Sequence, residues 1–246
     1  MMLGARTGAW AKSGGGVPNA RDYVQDGLVA MWDGIENAGF GKHDANAFPI
    51  DLCGNAILNH SLTSSSLLVG DDYFAVDDSK VITYDAPILK SLITNDKSTW
   101  TGESCSYYSG KNPGFDSYVM ILGDLDSSNM AVSSHYFGFQ LYAQALSNRN
   151  KGIFRSRFPY IGHDNTWISI SFAFEQGELV SNAVNGTFYD YIDMGYNSTY
   201  YGDYVFIGRE RNHVGKYRNI RIYSRALTAD EIAHNYAIDK ARFNLS

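Results

Sequence analysis

Apolar and polar residues alternate along several short stretches of this chain, most legibly near its end. In Tyr217-Arg218-Asn219-Ile220-Arg221-Ile222-Tyr223, Ile220 and Ile222 fall on one strand face and Asn219, Arg221 and Tyr223 on the other, because successive strand residues point to opposite sides. Thr228 follows, with Glu231 three positions on. That is the spacing of a capping box, in which the hydroxyl accepts an orphan backbone N–H and the carboxylate reaches back. Leu227 and Ile232 flank it as a hydrophobic staple, so the pattern predicts a closing helix that runs to about Phe243. Further strands are predicted at Gly27 to Asp33, Ser117 to Leu122, Trp167 to Phe174, Leu179 to Ser181 and Tyr204 to Gly208. His135 to Tyr142 adds one with Phe137, Phe139 and Leu141 inward. Only the last segment has helical periodicity, and no internal repeat or apolar run of membrane-spanning length occurs.

These elements predict an all-β fold, an antiparallel β-sandwich with a short C-terminal helix and an N-terminal extended arm. The strand-to-helix run Arg221-Ile222-Tyr223-Ser224-Arg225-Ala226-Leu227-Thr228-Ala229-Asp230-Glu231-Ile232 resembles the C-terminus of LamG-like jelly-roll domains of the concanavalin A-like lectin/glucanase superfamily. Gly27-Leu28-Val29-Ala30-Met31-Trp32-Asp33 followed by Asp51-Leu52-Cys53-Gly54-Asn55 is similar to that family's opening strand and its D-x-S-G-N turn, with Cys53 where serine is usual. Trp167 to Phe174, leading through Glu175-Gln176-Gly177-Glu178 to Asn185-Gly186, resembles its central hairpin and N-G turn. Together the motifs span about residues 23 to 243. They imply the jelly roll as a fold and say much less about function.

Composition agrees with one domain. The chain has 246 residues, 44% of them hydrophobic, enough for one sizeable core. Residues 1–22 differ from the rest. Met1 to Arg21 carry Arg6, Lys12 and Arg21 with no acidic residue, and Ser13-Gly14-Gly15-Gly16 before Pro18 reads as a flexible joint. The expected organisation is therefore an arm over 1–22 and a sandwich over 23–246. Met1-Met2-Leu3-Gly4-Ala5 is interrupted by Arg6 and lacks the apolar core of a secretion signal. LamG-like domains usually work outside cells, and virion proteins reach the outside by lysis without such a signal. The arm followed by Ala20 to Ala30 is also similar to phage and prophage structural proteins of the Bacteroides group. That resemblance implies a virion component, made in the host cytoplasm and anchored to other virion proteins through the arm, with trimeric assembly as an analogy.

Charge narrows the partners. The net charge of −6 argues against duplex DNA binding, which needs a concentrated basic surface. Arg209, Arg211, Lys216, Arg218, Arg221 and Arg225 cluster in sequence and are read as the solvated face of the last strands, paired with nearby carboxylates. Cys53 and Cys105 are read as free thiols, and His43, His60, His135, His163, His213 and His234 form no metal motif. The superfamily includes glycoside hydrolases, which set two carboxylates on one strand face, typically as E-x-D-x-x-E. No such run is present, and Glu175 and Glu178 fall in a hairpin turn, so no catalytic residue is assigned.

A mixture suited to sugar recognition lies between Tyr189 and Tyr204, where aromatic faces can stack on sugar C–H surfaces and carboxylates or amides can fix hydroxyls. Asp193, Tyr196, Asn197, Tyr200 and Tyr201 are the most loop-like and form the candidate ligand site. The same residues could instead pack a sheet edge or a subunit interface. The family resemblance also raises Ca2+, held by loop carboxylates. Asp124-Leu125-Asp126-Ser127-Ser128-Asn129, Asp71-Asp72 and Asp77-Asp78 are comparable candidates, with ordinary polar turns the favoured reading. Two classes of function remain, a non-catalytic virion component displaying a lectin-like domain to surface or mucosal glycans, and a cell-surface carbohydrate-binding adhesin.

Overall fold

A computed structural model describes residues 16–63, 67–76, 80–92, 99–108, 116–123, 137–142, 145–150, 153–157, 166–176, 178–189, 203–208 and 215–245. The strands are β1 (Leu28–Asp33), β2 (Ile57–Leu58), β3 (Leu67–Val69), β4 (Phe74–Val76), β5 (Val81–Asp85), β6 (Trp100–Tyr108), β7 (Asp116–Gly123) and β8 (Phe137–Tyr142). They continue with β9 (Ala145–Asn150), β10 (Ile153–Arg157), β11 (Thr166–Glu175), β12 (Glu178–Val184), β13 (Thr187–Phe188), β14 (Tyr204–Gly208) and β15 (Gly215–Tyr223). The helices are the short α1 (Pro87–Leu92) and the long α2 (Ala229–Phe243). One sheet runs β13-β12-β11-β6-β15-β4-β3, with β1 also paired to β15, and the other runs β10-β9-β8-β7-β14-β5-β2. Every pairing described is antiparallel.

The alternation read at β15 decides the layering. Ile220 and Ile222 are fully buried in the main core with Trp32, Phe172, Val205 and Ile207, between the two sheets. Registers carry that face across the sheet. Ser104 and Gly102 of β6 lie beside Ile220 and Ile222, and Ile170 and Phe172 of β11 lie beside Ser104 and Gly102. The opposite face carries Met31 and Asp33 of β1, Asn219, Arg221 and Tyr223 of β15, Glu103 and Cys105 of β6, and Ser169 of β11. This face is buried too, and α2 with the segment before β1 covers it. Phe137, Phe139 and Leu141, expected to point inward, lie on β8, and their side chains fall outside the described residues.

The helix begins as its capping box requires. Glu231 N–H donates to Thr228 Oγ1 at 3.3 Å, and Thr228 N–H donates to Glu231 Oε2 at 2.9 Å. Leu227 and Ile232 pack in one cluster with Val24 and Tyr223, which completes the staple. Arg225 grips Glu231 with Nη1 and Nη2 at 2.8 and 2.6 Å. Hydrogen bonds from Arg225 are the chief reason that the Glu231 carboxyl is lowered to about 2. Asn185-Gly186 forms the two-residue turn between β12 and β13, with φ of 49° and 71°. Those positive angles at both central residues are those of a type I′ hairpin, which favours Asn-Gly. A Cβ at Gly186 would collide with the Tyr236 ring of α2, so this turn also sets how closely the helix lies on the sheet.

Between α2 and the sheet lies a buried polar layer. Asp239 is wholly buried and accepts from Arg221 at 2.9 and 3.1 Å, Tyr23 Oη–H at 2.7 Å, Asn219 at 2.8 Å and Ser169 Oγ–H at 2.8 Å. Arg221 Nε also donates to Glu103 Oε2 at 3.0 Å, and Asn235 donates to the same oxygen at 2.7 Å. Arg242 donates to Asp33 at 2.6 and 3.0 Å and to Glu36 at 3.1 Å. The segment before β1 belongs to this layer. Ala20 is fully buried and its N–H donates to Glu36 at 2.7 Å, while Val24 N–H donates to Asn235 at 2.9 Å. The packed part of this segment includes Ala20, Tyr23 and Val24.

Arg221 overturns the expectation of a solvated cationic face. Only 1% of its side chain is exposed, its guanidinium lies 4.0 Å from the Tyr23 ring centroid, and two carboxylates neutralise it. Arg218 and Arg225 do pair with neighbouring carboxylates, whereas Arg209 and Arg211 lie outside the described residues.

The layer predicts a graded response to mutation. Burial pushes the Asp239 carboxyl up, but Arg221 and the hydrogen bonds outweigh it and hold the group below its ordinary range. Its stabilisation is present above the unfolded Asp value and is lost as pH falls through the lowered folded value. Burial raises Glu103 despite Arg221. That contribution is full below the unfolded Glu value and is lost as pH rises through the folded one. Asp239→Asn should therefore cost about 3 kcal/mol or more, the usual result of stranding one partner of a buried ion pair. Glu103→Gln, which keeps an acceptor for Arg221 and Asn235, should cost less than about 1 kcal/mol and flatten the stability profile above the unfolded Glu value. Urea denaturation of both variants across a pH series measures this.

Candidate functional site

The five residues chosen from sequence, Asp193, Tyr196, Asn197, Tyr200 and Tyr201, lie outside the described residues, as do Asp77, Asp78 and the run from Asp124 to Asn129. Asp72 is described, and its carboxylate binds Arg218 Nη2 at 2.7 Å. Among the described residues no group of three or more His, Cys, Asp or Glu could hold a metal ion. Cys53 and Cys105 are both free thiols, and burial pushes Cys53 up to about 12. Asp51 is instead structural: its carboxylate accepts backbone N–H groups from Met31, Cys53, Asn55 and Ala56, which shapes the turn after β1.

Three carboxylates of the polar layer are committed to ion pairs. Asp33, Glu103 and Asp239 are at most 2% exposed, and each is bound by an arginine. Glu175 and Glu178 are cross-strand partners at the β11–β12 turn.

A different cluster joins aromatic faces to charge at a half-buried place. It lies on the outer face of the first sheet, beside Phe243 at the end of α2. Trp167 and Tyr107 are register partners on β11 and β6, and their rings meet edge to face with centroids 5.5 Å apart. Tyr73, at the start of β4, brings its ring to 5.9 Å from Trp167. All three rings are partly exposed. Arg218 lies over Trp167 at 4.2 Å and near Phe243 at 5.2 Å, and Lys216 Nζ sits 5.5 Å from the Tyr73 centroid and 5.3 Å from that of Tyr107.

Two local irregularities build this arrangement. Tyr217 pairs with Ser106 and Asn219 with Cys105, so Arg218 is an extra residue, a β-bulge in β15. Bulges re-aim side chains. Here the extra residue lets Tyr217 enter the core while Lys216, Arg218 and Asn219 all serve the outer face. The second device is the turn between β3 and β4, closed by Gly70 N–H donating to Tyr73 O at 2.8 Å. A Cβ at Gly70 would collide with the Tyr73 ring, so the ring can fold over the backbone only because residue 70 has no side chain. The site thus draws on β4, β6, β11, β15 and α2. Sequence reading missed it because its members come from five separate stretches; the one local signal was the Lys216-Tyr217-Arg218 run at a strand start.

Chemically, the cluster offers aromatic surface and fixed polar groups. Exposed cation–π pairs of this kind contribute about 0.5–1 kcal/mol each, enough to order long side chains and weak enough to be remodelled by a ligand.

No family model matches the chain, and no curated protein matches it. Solved structures do. The receptor-binding domain of botulinum neurotoxin type G superposes with a TM-score of 0.60 at 14% identity, covering 87% of this chain and 52% of that one. The binding domain of botulinum neurotoxin DC, solved in complex with SialylT, gives 0.62 at 11% identity over 89% of this chain and 52% of that one. A third structure is of botulinum neurotoxin type C, whose entry into cells is dependent upon interaction with two ganglioside molecules. It gives 0.61 at 11% identity, covering 87% and 51%. The likeness is one of fold. This chain spans about half the length of those chains and shares their antiparallel β-sandwich.

Gly70→Ala tests how the cluster is built. Such overpacking typically costs about 1–3 kcal/mol, and the variant should lose the Tyr73–Trp167 contact. The melting temperature and near-ultraviolet circular dichroism of the variant measure both effects, while far-ultraviolet dichroism should keep its β signature.

Proposed function

We propose that this protein is a non-catalytic carbohydrate-binding module. The observation that carries the reading is the half-buried aromatic platform of Tyr73, Tyr107 and Trp167, rimmed by Lys216, Arg218 and Asp72. Sugars present C–H faces that stack on such rings and hydroxyls that bond to charged or amide groups. Two supports are independent of that cluster. The fold is shared with receptor-binding domains, one solved with SialylT and another described through gangliosides. The stretch containing Asp193, Tyr196, Asn197, Tyr200 and Tyr201 has the same aromatic and polar mixture and is a second candidate contact.

On a glycan array the protein should retain a defined subset of oligosaccharides. Trp167→Ala should weaken retention by about tenfold or more, a difference of about 1.4 kcal/mol, while far-ultraviolet circular dichroism still reports a folded β protein. Retention of no glycan, or equal retention by the variant, contradicts the reading.

The finer setting is display on a phage particle, supported by the resemblance of the arm and the following residues to phage structural proteins. Deletion of residues 1–15, which spares the packed segment from Asn19 to Val24, should abolish incorporation into particles and leave the melting temperature unchanged. Normal incorporation of the truncated chain, read by immunoblot of purified particles, contradicts it.

A further inference from the structure

We infer that the site between Tyr73 and Tyr107 takes an acidic sugar, with the Lys216 ammonium contacting the sugar carboxylate. The inference rests on the carbohydrate reading and names the ligand class within it. The platform alone would accept neutral and acidic sugars alike, so the cations decide between them.

The three cations of β15 are not in equivalent states. Arg221 is buried against Glu103 and Asp239, and Arg218 is bound by Asp72 at 2.7 Å. Lys216 makes no ion pair among the described residues; its contacts are the Tyr73 and Tyr107 rings, 5.5 and 5.3 Å from Nζ. It is half-buried, and its neighbour Tyr217 is anchored in the core, which fixes the strand from which it projects. Among the described residues this half-buried ammonium has no hydrogen-bond acceptor and is flanked by ring surface. Ring faces attract a cation through their quadrupole but accept no strong hydrogen bond from it. A carboxylate supplies the missing acceptor, because charge-assisted bonds are shorter and about twice as strong as neutral ones. The ring body of a uronic or sialic acid can meanwhile lie on the tyrosine and Trp167 faces. A free inorganic anion would satisfy the ammonium and leave the aromatic surface unused. A neutral sugar would do the reverse.

The net charge of the chain is −6, so the general field of the protein does not draw anions to this face. Preference for an acid must come from local contact, and one side chain can remove it.

The test is calorimetric titration of the full chain with two matched pairs of ligands: sialyllactose against lactose, and trigalacturonate against its carboxyl-reduced form. At least one acid should bind about tenfold or more tighter than its neutral partner. Lys216→Gln should bring that ratio close to one, Lys216→Arg should retain it, and both variants should keep the far-ultraviolet circular dichroism of the folded wild type. Inorganic phosphate at the same concentration should not displace the sugar. Equal binding of acid and neutral partners, or an unchanged preference in Lys216→Gln, overturns the inference while leaving the carbohydrate reading in place. Displacement by phosphate also overturns it, by showing an anion site without a sugar subsite. Failure of all four ligands to bind also overturns the inference, and the carbohydrate reading then stands or falls on the glycan array.

Discussion

The bond between Arg221 and Asp239 organises this molecule, because it makes the outer face of the first sheet a second interior. Both side chains are at most 1% exposed. Burying two charges is expensive, and the attraction between them repays that only when the remaining donors and acceptors are also satisfied. The chain meets that condition from distant segments: Tyr23 before the first strand, Glu103 on β6, Ser169 on β11, Asn219 on β15 and Asn235 on the helix. The layer therefore fastens the segment from Ala20 to Val24 and α2 to the same strands. It also fixes register, since a one-residue slip of β15 would send Arg221 into the apolar core.

The same constraint positions the candidate site. With α2 held by Asp239 and Arg242, its end delivers Phe243 against Arg218, and the Arg218 bulge turns the start of β15 toward the outer face. Tyr107 and Trp167 continue the strand faces that carry Cys105 and Ser169, beyond the helix end. The platform is thus the rim of the buried layer, where the cover stops and the sheet face becomes partly open. Aromatic rings suit such a boundary because one end can pack while the other meets solvent.

Much of the frame was legible in the sequence. The faces of β15, the Thr228 capping box and the Asn185-Gly186 turn each rest on contacts within a few residues, and each is found as read. β6 escaped notice for a physical reason. Its core face carries Gly102, Ser104 and Ser106, and its other face carries Glu103 inside the polar layer, so no apolar alternation marks a strand that is buried from Trp100 to Ser106. Arg221 was misjudged for the same cause: an arginine among polar residues reads as solvated until the helix above it supplies Asp239. The platform was hidden because Tyr73, Tyr107, Trp167 and Lys216 meet only through sheet pairing and one bulge. Residues 193–201 remain a sequence-based candidate.

The most direct measurement is a nuclear magnetic resonance titration that follows the Trp167 indole N–H, assigned by comparison with Trp167→Phe, as an acidic oligosaccharide is added. A saturable shift is expected at Trp167, with Tyr107 and Lys216 among the residues most affected and the buried Arg221 layer unmoved. Binding that leaves Trp167 silent and perturbs another surface would contradict it.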